Sequence, residues 1–465
     1  MTKPLVVDLD GTLIRTDLLW ESFWSCASRT PLQLFGLPLW LAAGRARLKQ
    51  ELARRAEFDA AGLPYNEAVL ELIRARKKEG GRVVLATASD ASLAGRVAKH
   101  LGLFDDVLAS DGTRNCKGKA KVEALRGLLG SEPFDYVGDS EADLPLVAEA
   151  SRVWLVDPPG SVRRAAESAG KLEAVFPGAG KGVWPLLRLL RPHQAVKNLL
   201  IFVPVVAGHR LGDLPTLVAA GWAFLAFSMA ASAVYVLNDL CDLDSDRAHD
   251  RKRRRPLASG AVSIPTATVV GILLMAAALT LSGALVSLHF LAVLGGYLAL
   301  TTAYSFWLKR KVFVDVMVLA GLYSYRIFAG GEATGIVLSK WLIAFSMFFF
   351  LCLALTKRYC ELDRLSGSGD ANKRRGYRVE DLDLLRTLGP VSGYMSVLVM
   401  AFYVTSEATV MYPRRGLLWL VCPILLYWIT RIWFLAHRRE MVDDPVVFAL
   451  RDGRSLLAGA LIALV

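Results

Sequence analysis

Hydrophobic and polar positions alternate on a short scale in the first part of this 465-residue chain and on a long scale in the rest. Three short apolar runs predict buried strands, at Pro4–Leu9, Arg82–Ala86 and Phe134–Val137. Three amphipathic stretches between them predict helices, at Glu67–Glu79, Ala91–Leu101 and Ala120–Leu129. Strands and helices that alternate in this way form a doubly wound α/β sheet. We therefore predict a soluble α/β domain over residues 1–177.

From about Val196 onward, apolar runs long enough to cross a bilayer follow one another, separated by short charged loops. They predict nine helices, the last of them short, at residues 195–211, 214–237, 262–284, 287–305, 313–330, 338–356, 388–406, 416–436 and 454–465. We therefore predict an all-α polytopic membrane domain over residues 191–465, joined to the soluble domain by a linker at 178–190.

Basic residues in the loops predict the orientation of this membrane domain. With the soluble domain in the cytoplasm, the loops on its side carry 21 Lys and Arg, at residues 238–260, 309–311, 357–387 and 437–454. The opposite loops carry 4, at residues 209–213, 281–289, 329–340 and 406–416. Cytoplasmic loops of membrane proteins are enriched in Lys and Arg. We therefore predict a multi-pass protein of a bacterial-type inner membrane, with its soluble domain and active sites in the cytoplasm.

Composition narrows the class of protein further. A hydrophobic content of 54% and a mean hydropathy of +0.39 are too high for an ordinary soluble enzyme. The net charge of +12 is concentrated beside membrane segments, which argues against a nucleic-acid partner. The six cysteines are scattered without CxxC or zinc-ligand spacing, which predicts reduced thiols. The N-terminus enters a strand within eight residues, so we expect no cleavable signal peptide.

Polar motifs follow the three predicted strands of the soluble domain. The first strand ends in Asp8-Leu9-Asp10-Gly11-Thr12-Leu13, the second in Thr87-Ala88-Ser89, and the third in Gly138-Asp139-Ser140-Glu141-Ala142-Asp143. Ligands of doubly wound sheets bind at the carboxyl ends of the strands. Clustered carboxylates with a lysine suit phosphate chemistry, because a carboxylate nucleophile needs a hard cation and a fixed ammonium to approach an anion.

The ordered set of these motifs resembles the haloacid-dehalogenase phosphatase superfamily over residues 1–175. The resemblance implies that Asp8 is the nucleophile and Asp10 the general acid/base, and that Thr87 binds the phosphoryl group. It also implies a Mg²⁺ site, for which Asp8, Asp10, Asp139 and Asp143 are the candidates. The required ammonium is expected at Lys121, with Lys117 as the alternative.

An insert at about residues 17–75 separates the first two motifs, and its segment Leu18–Ala56 is rich in Trp, Leu and Phe. Its apolar stretch Pro31–Gly44 is too short to span a bilayer and is interrupted by Pro38. The stretch is either a small cap over the active site or an interfacial helix that rests on the membrane. We favour the interfacial helix, because the membrane domain would hold this one against the bilayer.

A run of acidic residues lies at the predicted cytoplasmic end of the second membrane helix. Asp239, Asp242 and Asp246 recur at i, i+3 and i+7, which places them on one helix face. Carboxylates so close favour a bound cation, and Mg²⁺ is commonly held between carboxylates and a diphosphate. Asn238 precedes this run, and Lys252 and Arg255 follow it as candidate phosphate contacts. The alternative, a solvated charge run beside the membrane, does not explain acidic residues inside an apolar helix.

The pattern NDxxDxxxD followed by KxxRP resembles the UbiA-type intramembrane prenyltransferase superfamily over residues 190–465. A second acidic motif is expected after the fourth helix. Asp315 supplies one candidate metal ligand there, but Leu319 stands where the usual second Asp would be. This departure argues against ordinary transfer from a prenyl diphosphate.

Further stretches resemble one branch of that superfamily, the polyprenyl-phosphate 5-phosphoribosyltransferases of cell-wall synthesis. These stretches are RPHQ from Arg191, YRIFAGG from Tyr325, SKW from Ser339 and KRYCEL from Lys357. The resemblance implies Mg²⁺-dependent transfer of 5-phosphoribosyl from phosphoribosyl diphosphate to a polyprenyl phosphate, with Asp239 and Asp242 as catalytic residues. Candidate substrate contacts are Lys197, Asn238, Lys252, Arg255, Lys309, Arg326, Lys357 and Arg358.

Two alternatives remain open at this point. One is transfer of a prenyl group to a small aromatic acceptor, and the other is a membrane-anchored phosphatase whose helical domain only binds lipid. Lys309 and Lys357 could also serve only as topology charges. If the leading interpretation holds, the soluble domain is positioned to remove the 5-phosphate from the lipid-linked product.

Overall fold

The computed structural model describes residues 2–57, 59–178, 182–366, 376–406, 409, 415–441 and 444–464. Residues 179–181 of the predicted linker, and parts of the predicted loops 357–387, 406–416 and 437–454, therefore lie outside the described residues. By its contacts the chain divides into two compact units. The first unit comprises residues 1–190 and 235–272, and the second comprises residues 191–234 and 273–465.

A parallel six-stranded sheet forms the centre of the first unit. Its strands in chain order are β1 (Leu5–Val7), β2 (Val83–Asp90), β3 (Asp106–Ser110), β4 (Asp135–Gly138), β5 (Val153–Val156) and β6 (Leu172–Phe176). Their order across the sheet is β3-β2-β1-β4-β5-β6. β1 pairs with β2 on one side and with β4 on the other, and the three strands that end in the polar motifs are therefore neighbours. The predicted doubly wound α/β fold is confirmed.

Alternate residues of the central strands pack into two separate hydrophobic clusters. Leu5 and Val7 belong to one cluster, while Val6 between them belongs to the other. Side chains of a strand point alternately to opposite faces, so each face of this sheet buries its own core. Strands buried on both faces read as continuous apolar runs, which is why the runs in the sequence located them.

The helices described in residues 2–190 are α1 (Leu18–Arg29), α2 (Leu37–Ala42), α3 (Arg45–Arg55), α4 (Glu67–Lys78), α5 (Ala91–Leu101), α6 (Lys119–Leu129), α7 (Leu144–Glu149), α8 (Gly160–Ser168) and α9 (Val183–Leu190). The three helices predicted between the strands correspond to α4, α5 and α6, with ends within one residue of the prediction.

The insert between the first two motifs folds into α1, a 3₁₀ turn at Pro31–Gly36, α2 and α3. Asp17 begins α1, because its carboxylate accepts the N–H groups of Leu19 and Trp20. Leu32 and Phe35 on the 3₁₀ turn are 77% and 82% exposed. The apolar stretch is thus short and unburied, as an interfacial segment requires, and its contact with a membrane stays a prediction.

The helices of the remaining chain are α10 (Val203–Ala207), α11 (Leu214–Cys241), α12 (Leu243–Arg247), α13 (Ile264–Leu281), α14 (Leu288–Phe306), α15 (Val314–Thr334), α16 (Lys340–Ser366), α17 (Leu382–Thr405), α18 (Val421–His437), α19 (Pro445–Ala449) and α20 (Gly453–Leu464). Six helical segments among the described residues are long and apolar enough to cross a membrane, at Leu214–Cys241, Ile264–Val286, Leu288–Phe306, Lys340–Arg364, Val379–Thr405 and Arg415–His437. The predicted helical, membrane-type fold of this region is confirmed.

The first predicted membrane helix differs from the structure. Residues 195–211 were expected to form one helix, but Pro192–Phe202 is a 3₁₀ helix and α10 adds only five residues. Pro192 and Pro204 each stand in the first turn of one of these segments. Since proline lacks an N–H group and clashes with the preceding turn, Pro204 divides the apolar run into two short pieces.

Candidate active sites

Three carboxylates meet at the carboxyl edge of the sheet. Asp8 follows β1, Asp139 follows β4, and Asp143 lies in the 3₁₀ turn after it. One ligand oxygen of each lies within 4.8 Å of the others. Burial raises the pKa of Asp8 to about 6, and burial together with the charges of Asp8 and Asp143 raises the pKa of Asp139 to about 8. A buried, oxygen-rich site whose carboxylates repel one another fits a hard cation such as Mg²⁺.

Lys121 supplies the ammonium at this site. Its Nζ lies 2.8 Å from Asp8 Oδ1 and 3.3 Å from Asp143 Oδ1. Burial lowers the pKa of Lys121, but the two carboxylates outweigh it and raise that pKa above its ordinary value. Lys117, the alternative, is exposed on the wall of the same cavity. The structure thus places Lys121, rather than Lys117, beside the predicted nucleophile.

Asp10 is held by partners outside the three-carboxylate group, although it was predicted as a fourth metal ligand. Its Oδ1 accepts the N–H of Leu18 at 2.8 Å, and its Oδ2 accepts the hydroxyls of Ser89 at 2.6 Å and Thr87 at 3.4 Å. Burial raises the pKa of Asp10 to about 7. A carboxyl group that gains and loses a proton near neutral pH suits a general acid/base.

Gly11 permits the close approach of the first and third motifs. Its φ of +77° lies in the left-handed region, and a Cβ at this position would meet the carboxylate of Asp139. The next residue, Thr12, donates its hydroxyl to Asp139 Oδ1 at 3.2 Å. Both the backbone conformation and the space therefore require glycine between Asp10 and Thr12.

A cavity of about 550 Å³ lies over these residues. Its polar part is formed by the motifs just described. Its walls include Leu19, Leu41 and Leu48 from the insert, and Ile264 and Pro265 from the start of α13. Because α13 begins a segment apolar enough to cross a membrane, the wall of this cavity is partly built by a candidate membrane helix. The insert therefore contributes side chains to the cavity wall and also exposes apolar side chains, so the cap and the interfacial interpretations both stay predictions.

The predicted acidic motif lies where α11 ends and α12 begins. The N–H of Asp242 donates to Asn238 O at 2.9 Å, and the N–H of Asp246 donates to Asp242 O at 2.8 Å. Asp239 and Asp246 are buried, Asn238 is half-buried and Asp242 is exposed. Hydrogen bonds of helical spacing thus continue through the motif despite the break between the two helices.

A single guanidinium joins two of the three carboxylates. Arg255 Nη1 lies 3.1 Å from Asp239 Oδ1 and 2.5 Å from Asp246 Oδ2. Lys252 Nζ lies 3.5 Å from Asp246 Oδ1. Asp239 and Asp246 therefore face the same guanidinium, whereas Asp242, which was predicted on the same helix face, is exposed at the break between α11 and α12. Among the described residues, only Asp8, Asp139 and Asp143 form a group of three possible metal ligands whose atoms all lie within 4.8 Å of one another. The carboxylates of the acidic motif do not form such a group.

Helix α1 of the insert packs against this acidic segment within the first unit. Glu21 and Arg247 form an ion pair at 2.6 Å, with side chains only 3% and 4% exposed. Trp24 donates its indole N–H to Thr268 at 3.0 Å. Trp20 and Trp24 also pack against the apolar cluster that contains Leu240. Glu21 and Arg247 were not predicted as site residues, because only the folded chain brings them together.

In the second unit, two predicted cations share one carboxylate. Lys197 Nζ and Lys357 Nζ lie 3.0 Å and 2.8 Å from Asp444 Oδ2, and Tyr323 donates its hydroxyl to Asp444 Oδ1 at 3.1 Å. Asp444 was not predicted as a site residue. Its position before Pro445 is typical of a helix cap, and it does accept the N–H of Val446 at the start of α19.

Arg326 is buried in the second unit among neutral partners. It donates to Asn198 Oδ1 and to the hydroxyl of Tyr297, each at 2.9 Å. Its guanidinium lies 5.1 Å from the ring centre of Tyr297 and 5.7 Å from that of Phe227. The described residues include no carboxylate paired with it. Such a charge retains the capacity to attract an anion.

Asp315 and Arg358, both predicted site residues, form a buried ion pair at 2.6 Å. Tyr377 donates its hydroxyl to Asp315 Oδ1 at 2.6 Å and accepts the N–H of Phe313 at 3.0 Å. Asp315 is thus surrounded by protein partners rather than by other carboxylates. Lys309 is half-buried in the 3₁₀ turn Leu308–Arg310, and the described part of the chain contains no ion pair of its ammonium.

Comparison with known proteins gives a family match for the N-terminal region and another for the helical region. Residues 199–452 match the UbiA prenyltransferase family, and residues 5–148 match haloacid dehalogenase-like hydrolases. An uncharacterized protein, y4nM, of Sinorhizobium fredii is 39% identical over 465 residues, 99% of this chain and 90% of the relative. The decaprenyl-phosphate phosphoribosyltransferase of Mycobacterium tuberculosis is 37% identical over 197 residues, 41% of this chain and 64% of the relative.

Among solved structures, a UbiA homolog from Archaeoglobus fulgidus bound to GPP and Mg²⁺ is 18% identical, with a TM-score of 0.47 over 60% of this chain and 99% of that chain. The family assignment rests on the sequence matches, which cover more than half of the chain in one family and nearly all of it in one relative. The chain therefore belongs to the UbiA prenyltransferase family and carries a haloacid dehalogenase-like hydrolase domain at its N-terminus.

Proposed function

We propose that this enzyme transfers 5-phosphoribosyl from phosphoribosyl diphosphate to a polyprenyl phosphate, on the cytoplasmic face of the inner membrane. The observation that carries the proposal is the 37% identity over 197 residues to a decaprenyl-phosphate phosphoribosyltransferase. Leu319, in place of a second acidic ligand after Asp315, agrees with a donor other than a prenyl diphosphate.

In the proposed transfer, the bond between C1 of the ribose and the diphosphate oxygen breaks, and a phosphate oxygen of the lipid bonds to C1. Pyrophosphate leaves with the electron pair. Asp239 and Asp242 would hold Mg²⁺ against the donor, with Asp246 as a further ligand and Asp315 as the remaining candidate. Mg²⁺ at either site of the chain would supply neutralisation of phosphate charge. Lys252 and Arg255 would contact phosphate oxygens as charged donors.

Anion contacts in the second unit complete the proposal. Lys197 and Lys357 share the single carboxylate of Asp444, so one of their two positive charges is left over. Arg326 adds a further charge without a carboxylate among its described partners. These cations suit a donor diphosphate, which the alternative reaction would share, and also an acceptor phosphate, which an aromatic acceptor lacks.

We further propose that the soluble domain hydrolyses the 5-phosphate of the lipid-linked product. Asp8 would attack phosphorus to form an aspartyl phosphate while Asp10 gives a proton to the departing ribose oxygen. Asp10 would then take a proton from water as that water attacks phosphorus, which releases inorganic phosphate and restores Asp8. Lys121 would balance the charge of the phosphoryl group beside Asp8. The cavity wall from α13 and the apolar insert residues support a lipid-linked substrate.

The decisive experiment uses detergent-purified enzyme with Mg²⁺, polyprenyl phosphate and labelled phosphoribosyl diphosphate. We expect a labelled lipid and released inorganic phosphate. The variant Asp8→Asn should still label the lipid, but it should accumulate the 5-phosphorylated form. If no lipid is labelled while a labelled prenyl diphosphate prenylates an aromatic acceptor, the phosphoribosyl proposal fails.

Identical lipid products from wild type and Asp8→Asn would leave the transferase assignment intact. They would instead show that the soluble domain acts on another substrate. The two halves of the proposal can therefore fail separately.

A further inference from the structure

Four basic side chains line the cavity over Asp8, Asp139 and Asp143 in addition to Lys121: Arg15, Arg45, Lys49 and Lys117. Lys121 is paired with Asp8 and Asp143, and one such ammonium is enough for the transferred phosphoryl group. None of the other four forms an ion pair with a carboxylate in the described part of the chain. The cavity therefore has basic side chains beyond the one ammonium that hydrolysis of a phosphate monoester requires, although five carboxylates also line it.

Lys49 is the most firmly placed of these four groups. It projects from α3 of the insert, is half-buried, and donates to Ala88 O at 2.5 Å and to Asn115 Oδ1 at 3.1 Å. Both acceptors are neutral, and an ammonium has three N–H groups, so one remains for a ligand. Burial lowers the pKa of Lys49, although the nearby charges of Asp10 and Asp17 partly oppose this shift.

Lys49 lies close to the site predicted to bind the phosphoryl group. Ala88 lies between Thr87 and Ser89, the two hydroxyl residues that hold Asp10. The ammonium is therefore adjacent to the second motif, but in the described part of the chain the carboxylates of Asp8 and Asp143 form their ion pairs with Lys121 and not with Lys49. Lys49 is thus beside the reaction site without belonging to the group around the nucleophile.

Arg15 contributes a second unpaired group to the same cavity. Its Nε is buried without a hydrogen-bond partner. Its main chain is fixed on two sides, because its N–H donates to Pro64 O at 2.8 Å and Gly260 packs against its carbonyl. A buried N–H without a partner is costly unless a ligand completes it. Arg15 and Lys49 therefore each have a donor group that an anionic ligand could accept from.

We propose that Lys49 and Arg15 form a second anion subsite, which binds the phosphodiester of a lipid-linked sugar whose phosphate monoester is hydrolysed at Asp8. The substrate class is thus a sugar phosphate with a second phosphate group that bears an apolar chain. Leu41, Leu48 and Ile264 on the cavity wall provide apolar contacts for the first part of that chain. This inference rests on the proposed phosphatase activity of the soluble domain and identifies its substrate by the second phosphate.

The test compares three substrates of the full-length enzyme with Mg²⁺, measured as released inorganic phosphate. They are ribose 5-phosphate, ribose 1,5-bisphosphate and the lipid-linked 5-phosphoribosyl phosphate in detergent micelles. A charge-assisted hydrogen bond contributes roughly 1.5–3 kcal/mol, so we expect kcat/KM to rise about tenfold or more from the mono- to the bisphosphate. The lipid-linked substrate should exceed the bisphosphate because of the apolar walls.

Lys49→Met should raise KM for the bisphosphate, so that its kcat/KM falls to that for ribose 5-phosphate. The kcat for ribose 5-phosphate should stay near that of the wild type. The latter value also shows that the variant is folded. Lys49→Arg should restore part of the advantage. The control Arg54→Met changes an exposed basic residue of the same helix, which forms an ion pair with Glu51. It should not alter the ratios of kcat/KM among the three substrates.

Equal kcat/KM for ribose 5-phosphate and the bisphosphate, or a Lys49→Met variant that is equally impaired on both, would overturn the subsite. Equal values for the bisphosphate and the lipid-linked substrate would overturn its lipid part, and assign the second anion to a free sugar phosphate. Absence of hydrolysis of all three substrates would overturn the inference together with the phosphatase half of the proposed function, and leave lipid labelling by the transferase unaffected.

Discussion

The buried ion pair between Glu21 and Arg247 gives a quantitative prediction for the packing of the insert on the acidic segment. Both side chains are almost fully buried, and Glu21 also accepts the hydroxyl of Thr16 at 2.6 Å. Removing one partner of such a pair leaves an uncompensated buried charge and costs about 3–5 kcal/mol. Replacing both partners with apolar residues of similar volume is often neutral.

We therefore expect Glu21→Met and Arg247→Met each to open this contact, and the double variant to regain most of the loss. A change of about 3 kcal/mol raises the population of the opened form by roughly a hundredfold. Limited proteolysis of the purified full-length protein measures that population when cleavage is slow relative to closing. The cleavage rate should therefore rise by about two orders of magnitude in each single variant.

A matched control is the exposed pair of Arg163 and Glu167 in α8, whose side chains are 58% and 45% exposed. Exposed pairs of this kind contribute less than about 1 kcal/mol. Arg163→Met should consequently change the cleavage rate by less than about fivefold. The prediction is refuted if the free-energy loss of the double variant Glu21→Met/Arg247→Met equals the sum of the losses of the two single variants, because the pair then has no coupling energy.

Three further predictions test the other parts of the molecule. Asp239→Asn should lower lipid labelling by about 10²-fold or more in a protein that is still inserted in the membrane, as loss of a transition-state charge contact does; undiminished labelling would exclude Asp239 from the site. A reporter after Gly260 should be cytoplasmic and one near Gly335 external, given the 21 and 4 basic residues of the two sets of loops; the reverse result would move the acidic motif to the other face. Mg²⁺ should raise the unfolding temperature of the chelator-treated enzyme more at about pH 8 than at about pH 5.5, because Asp139, with a pKa of about 8, is mostly protonated at the lower pH. The variant Asp139→Asn should lose most of this stabilisation by Mg²⁺. Equal stabilisation of the variant and the wild type would contradict the prediction.

Local sequence patterns predicted the strands β1, β2 and β4 and the helices α4, α5 and α6, but not the strands β3, β5 and β6. Buried parallel strands are continuous apolar runs, and each motif follows directly from the strand that carries it, so Asp8 and Asp139 could be expected at one edge of the sheet. The membrane helices were similarly predicted from apolar length. The exception, residues 195–211, is apolar enough for one helix, but Pro204 interrupts the backbone hydrogen bonding that a continuous helix needs.

The tertiary partners of the site residues could not be predicted from one sequence. Lys49 reaches Ala88 across 39 positions of the chain, Glu21 reaches Arg247 across 226, and Lys197 reaches Asp444 across 247. No periodicity or local motif links residues so far apart. The choice of Lys121 over Lys117 likewise depends on where the first turn of α6 lies relative to the strand ends, which only the folded domain determines.

The guanidinium of Arg255 between Asp239 and Asp246 has a consequence for the biogenesis of the protein. A newly made chain must place these two buried carboxylates at the end of an apolar helix before it has met any substrate. Arg255 follows them in the chain by only 16 and 9 positions, so it is synthesised almost at once and provides a built-in counterion. We therefore expect this segment to insert and fold without a metal ion, and the proposed binding of Mg²⁺ would be an exchange with an arginine rather than the filling of an empty charge cluster. Cells short of magnesium should accordingly still accumulate the folded enzyme.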